Sequence, residues 1–168
     1  MPEITTPRDL FLHELGDILY VEQRLVDDVL PTLMEEVTDD ELRKGFEKHL
    51  RETERHVKNL EKAFEALGEE PESEECIGFE GLTSEHDQLV QESSPELIDL
   101  VDAGSAARTE HYEIAAYESL IAMARGLGER DVIELFEQNL KDEKETLREI
   151  ESVAKRLSKE HAKESSTA

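Results

Sequence analysis

One cysteine, Cys76, stands in a chain of 168 residues. That excludes an intrachain disulfide and any zinc site built on several thiolates, and it fits a reducing setting. Basic residues are scarce as well: 19 lysines and arginines against 43 aspartates and glutamates leave a net charge of −24. A surface of that sign repels nucleic acid and anionic headgroups, so neither nucleic acid nor a membrane is expected as a partner. It suits a salt-rich cytoplasm, where self-repulsion is screened. No stretch approaches the roughly 20 apolar residues of a membrane span. The start, MPEITTPRDLF, also lacks the basic segment and apolar run of a secretory signal. The expectation is a soluble, cytoplasmic protein. Strand-like alternation of useful length is missing too, which argues against a sheet.

A helical period fills the space these absences leave. The five prolines and eight glycines fall mostly at a few punctuation points, and the 37% hydrophobic content is enough for one core. We read one domain over residues 1–160 and a disordered polar tail over 161–168. A first helix over 7–36 carries the seam Phe11, Leu15, Ile18, Glu22, Leu25 and Val29, with Thr6 as cap, Pro7 at its first position and Pro31 kinking or ending its regular part. A second, over 39–67, carries Leu42, Phe46, His49 or Leu50, Thr53, His56 or Val57, Leu60 and Phe64, with Gly68 closing it. A third spans 95–127, capped by Ser94, with the seam Ala103, Ala106, Glu110, Glu113, Tyr117, Leu120 and Ala124. A fourth spans 130–157 through Val132, Phe136, Leu140, Glu143, Leu147, Ile150, Ala154 and Leu157. The links after the first and third are short, which makes hairpins. The link between the second and third is long and holds at most one short helix over 84–92. The expected fold is all-α: a four-helix bundle with one long crossover between helices 2 and 3.

Polar residues interrupt these seams near the middle of every helix: Glu22, then His49, Glu52 and His56, then Glu110 and Glu113, then Glu143. Packed with their midpoints level, they converge on one small volume, and carboxylates gathered there must protonate unless a cation compensates them. Carboxylates with one or two imidazoles and no thiolate suit iron, manganese or an open zinc site, and carboxylates bridge pairs of ions. Such a set inside a bundle is the arrangement of di-iron carboxylate proteins.

The stretches DLFLHELGDILYVEQRL, FEKHLRETERHV, CIGFEGL, EHYEIAAYESLIAMARGLG and LKDEKETL, in that order over nearly the whole chain, resemble the YciE/YciF family of stress-associated proteins within the ferritin-like superfamily. The resemblance implies one ligand or more on each of four helices: Glu22, Glu52 with a nearby histidine, Glu110 with Glu113, and Glu143. Ferritin-like sites commonly carry Glu-x-x-His on the second and fourth helices. Here Arg55 stands three after Glu52, with His49 and His56 as competing histidines, and Thr146 stands three after Glu143. The resemblance further implies two iron ions per chain and oxidation of Fe(II) by oxygen or hydrogen peroxide, a ferroxidase or peroxidase-like activity, in a homodimer. In that scheme Glu22 and Glu143 are terminal ligands and Glu52 and Glu110 bridge.

Plainer readings stand beside these. In so acidic a chain any single glutamate is as readily solvated, and Glu52 can pair with Lys48 or Arg55 on its own helix. His13, His86 and His161 read as surface residues, His111 as structural, and Cys76 as a small buried hydrophobe. Tyr117, one turn from Glu113, reads as a core residue within reach of the cluster. Gly104 and the alanines around it on the third helix either allow close helix packing or open a pocket for an organic substrate. A stress-linked scaffold whose polar cluster holds no metal is the alternative function.

Overall fold

The computed structural model describes residues 4–165, and among them there are helices, turns and connections but no strand. The chain runs through α1 (Pro7–Arg24), a π-helical turn (Leu25–Val29), α2 (Leu30–Glu36), α3 (Asp40–Leu67), α4 (Ile77–Glu92), α5 (Ile98–Leu127) and α6 (Ile133–Ser165), with single 3-10 turns leading into α5 and α6. α1 packs on α3 and α5, and α6 packs on α3 and α5, so these four close a ring, while α4 lies outside it along α5. The long connection therefore holds a fuller helix than the one expected over 84–92. The polar tail is helical to Ser165, and the remainder of the expected disordered segment lies outside the described residues. No described helix is long and apolar enough to cross a membrane.

Local chemistry sets the ends. Thr6 accepts from the Asp9 amide while the Asp9 carboxylate accepts from the Thr6 amide, a reciprocal cap with Pro7 at the first helical position. Asp39 caps α3 through the amides of Glu41 and Leu42. Gly68 and Gly128 close α3 and α5 at φ 77° and 82°, where a side chain would be strained. Ser94 stands before the turn into α5 without a side-chain cap.

Pro31 does not break the first segment. It has no amide to give and its ring crowds the carbonyl four residues back; the chain widens just before it, Leu30 donating to Leu25 five residues earlier. The extra residue shifts the phase of the seam. Leu25 is followed in the core by Leu30, Leu33 and Val37, whereas Val29 is only half-buried.

The core runs along the ring, with Phe11 edge-on to Phe136 at 6.4 Å. From the 3-10 turn into α6 the buried positions are Val132, Phe136, Asn139, Glu143, Thr146, Ile150, Val153 and Leu157. Leu140, Leu147 and Ala154, expected in the seam, lie beside it and are half-buried. In α3 the choice falls on His49, Thr53 and His56, with Leu50 and Val57 at the margin. Gly104 serves no close helix contact, since a Cβ there would meet nothing within 4 Å.

Candidate metal centre

Glu22 of α1, His49 and His56 of α3, Glu110 and Glu113 of α5 and Glu143 of α6 are all buried, none more than 2% exposed. His49, His56, Glu110 and Glu113 lie in the central part of their helices, Glu22 just before the π turn and Glu143 in the first third of α6. The His49 Nε2 lies 3.1 Å from Glu110 Oε1 and 3.8 Å from Glu143 Oε2. The His56 Nδ1 lies 2.8 Å from Glu143 Oε1 and 3.3 Å from Glu22 Oε1. Ligand-type atoms thus form two groups, each within 4.8 Å: His49, Glu110, Glu113 and Glu143, and Glu22, His56 and Glu143. Glu143 belongs to both.

These groups face each other rather than any conventional partner. Both oxygens of Glu113 and of Glu143, one of Glu22, one of Glu110 and the inward nitrogens of both histidines are buried without a hydrogen bond. Burial followed by the neighbouring carboxylates pushes Glu113 well above the usual range. Burial also raises Glu110 and Glu143 to about 8. For His56, burial opposes the charge, but the carboxylates of Glu22, Asp142 and Glu143 around it outweigh burial and the imidazole is driven well up. Two divalent cations would supply what the cluster lacks: positive charge and acceptors for those lone pairs. The donor set, four glutamates and two histidines, fits such a pair of hard or borderline ions.

Around the cluster a set of partners fixes the inner side chains. The outward Nε2 of His56 lies 3.4 Å from Asp142 Oδ2, which also accepts from Arg55 at 2.7 Å. The His56 bond and then the Arg55 pair hold Asp142 down at about 2, burial opposing. With Asp142 as acceptor for the Nε2–H, Nδ1 is the nitrogen turned toward the centre, where a metal ion would take the place of its proton. His49 is held the same way, its Nδ1 3.3 Å from the Thr146 hydroxyl, while Thr53 bonds back to the His49 carbonyl at 2.9 Å. The Tyr117 hydroxyl donates to Glu22 and accepts from Asn139 at 2.9 Å, and Asn59 donates to Asn139 at 2.8 Å.

Glu52 stands apart. It joins neither group; its side chain is 15% exposed and lies 3.8 Å from Lys48. One of its oxygens is buried and unpartnered at the edge of the cluster, while Thr53 takes the central place on α3. Both histidines, rather than one, turn inward. Asp142, Asn139, Asn59 and Thr146 were not expected. A strict four-three spacing from Val132 reaches Asn139 and Thr146, but a preference for apolar residues selects Leu140 and Leu147 instead.

A cavity of about 380 Å³ opens beside the centre between the π turn, α3, α4 and α5. His49 and Glu110 form its inner wall, with Leu25, Phe46 and Ala106, and Arg24, Glu80 and His86 also line it.

The comparisons agree with this architecture. YcfI of Rhodopseudomonas palustris, proposed to be structural, is 35% identical and superposes with a TM-score of 0.86 over 89% of this chain and 96% of its own. The Escherichia coli stress protein YciF superposes equally well, at 0.86, over 93% of this chain and 99% of its own at 27% identity. In sequence, YciF is 29% identical over 143 residues, 84% of this chain and 86% of its length. A protein of Xanthomonas campestris pv. campestris, 20% identical with a TM-score of 0.70 over 94% of this chain and 99% of its own, shares the fold. The family profile described as a domain of unknown function (DUF892) matches residues 6–163, and the chain belongs to this family, that of YciF.

Proposed function

We propose that this protein is a ferritin-like di-iron carboxylate protein that oxidises Fe(II) with oxygen or hydrogen peroxide in a stress response, its long crossover carried by α4. One observation carries the reading: two buried groups of ligand-type atoms meet at Glu143, with most of their oxygens left unpartnered. Two bound iron ions would each exchange one electron, so that together they supply the two electrons that reduce hydrogen peroxide to water. In this reading Glu143, common to both groups, would serve both ions, Glu22 with His56 would hold one, and Glu110, Glu113 and His49 would hold the other. Asp142 accepts from Nε2 of His56 and so presents Nδ1 to the ions, and Tyr117 orients Glu22 and lies within reach as a proton donor. The cavity against His49 and Glu110 gives Fe(II) and the oxidant a path inward. Manganese or zinc suits the same donors.

Anaerobic Fe(II) loading followed by elemental analysis tests the proposal. About two irons per chain, oxidised on addition of oxygen or peroxide faster than free Fe(II) and lost in Glu110→Ala with Glu143→Ala, support it. A folded wild-type protein with no stoichiometric metal rejects it and favours the second reading, a stress-linked scaffold, to which the description of YcfI as proposed structural lends weight. A homodimer in the cytoplasm is part of the proposal, by likeness to ferritin-like bundles; light scattering giving a monomer mass overturns the dimer.

A further inference from the structure

A second group of ligand-type atoms lies where α4 meets the ring: Glu36 at the end of α2, His86 on α4 and Asp102 on α5, one atom of each within 4.8 Å of the others. His86 had read as a surface residue, yet its side chain is only 12% exposed. Its Nε2 lies 2.9 Å from Asp102 Oδ1 and 3.7 Å from Glu36 Oε2, while its Nδ1 turns to Asp87 Oδ1 at 3.4 Å. Asp102 is completely buried and its other oxygen has no hydrogen bond; one oxygen of Glu36 is in the same position. An imidazolium would compensate one of these carboxylates and leave the second, together with an unpartnered buried oxygen, at a cost.

We propose that Glu36, His86 and Asp102 bind one divalent first-row metal ion. One imidazole nitrogen and two carboxylates balance a divalent charge, and partial exposure of Glu36 leaves room for water to complete the coordination. Asp87, by accepting from Nδ1, holds the Nε2 lone pair toward Asp102 and Glu36, the role that Asp142 plays for His56. The three ligands come from three helices, so the ion ties α4 to the ring. Asp102 and Glu110 are eight residues apart on α5, which places this site about 12 Å from the main centre along the helix. His86 also lines the cavity that ends at Glu110.

The site does not depend on the function proposed for the main centre, and the test separates them. Chelator-treated full-length protein is titrated with Co(II), followed by its visible absorption and by calorimetry, in a Glu110→Gln/Glu143→Gln background that disables the main centre. About one bound equivalent is expected in that background, and its loss is expected on adding either His86→Gln or the half-buried Glu36→Gln, with circular dichroism showing folded protein. Zn(II) should raise the melting temperature of the background protein and leave the His86→Gln version unmoved. Absence of Co(II) binding in the folded background, or binding unchanged by both added substitutions, overturns the proposal.

Discussion

At the scale of single residues the centre is a problem of protons. Without metal, Glu110 and Glu143 titrate at about 8 in the folded chain, raised by burial from an ordinary 4.5. Between those values the unfolded chain has released its protons and the folded chain has not, so folding stability must fall as pH rises through this window. His56, also raised, loses its contribution in the same direction. The metal-free protein should therefore melt at a higher temperature at pH 5 than at pH 8, and saturation with a divalent metal should close that gap. Equal slopes for wild type and Glu113→Gln, both metal-free, would show that the cluster is not the cause. Asp142 acts on the same chemistry from outside. Asp142→Asn leaves His56 in place but exchanges the charged acceptor for a neutral amide that can equally donate to Nε2, so the tautomer is no longer fixed, and metal affinity should weaken by about 10–100-fold, read by calorimetry. The inner residues were legible in the sequence because each interrupts an apolar seam, whereas Asp142 and Asn139 were not. Asp142 borders the seam of an acidic helix, and Asn139 is disguised by Leu140 beside it, so only packing distinguishes them.

At the scale of elements, helix period and capping residues located the long helices, since Thr6, Pro7 and Gly68 act through local backbone geometry. The π turn escaped because it depends on how Pro31 is accommodated within a continuous segment, and α4 was shortened because its first turns, from Ile77, begin at an uncharged cap. The loop before α4 explains a glycine that no period predicts. The Glu74 amide donates to the Gly16 carbonyl at 3.1 Å, and a Cβ at Gly16 would stand 2.8 Å from the Glu72 carbonyl oxygen. Gly16→Ala must displace that backbone and should cost about 1–3 kcal/mol. Gly45, inside α3 with nothing within 4 Å of its Cβ direction, is the control: Gly45→Ala should stabilise by about 0.5–1 kcal/mol. Thermal denaturation of the two variants should move in opposite directions. A neutral Gly16→Ala would mean that the loop does not hold its position against α1.

At the scale of the whole molecule, a charge of −24 on 168 residues opposes compaction, because folding brings the carboxylates closer than the unfolded chain requires. Ion pairs such as Arg8 with Glu129 at 2.7 Å and Arg156 with Asp39 at 2.7 Å counter this locally. Exposed pairs of that kind contribute only about 0–1 kcal/mol each, and 19 basic residues cannot neutralise 43 acidic ones. Added salt weakens both the pairs and the repulsion, and the repulsion involves more charges. Raising potassium chloride from 0.1 M to 1 M shortens the screening length from about 10 Å to about 3 Å, so the melting temperature should rise. Neutralising exposed carboxylates outside the candidate metal sites separates screening from a general salt effect. A Glu70→Gln/Glu72→Gln/Glu75→Gln variant should start at a higher melting temperature in low salt and gain less from potassium chloride than wild type. A salt response of unchanged size in that variant would place its origin elsewhere than in the net charge, and a melting temperature that falls with salt would mean that the ion pairs outweigh the repulsion.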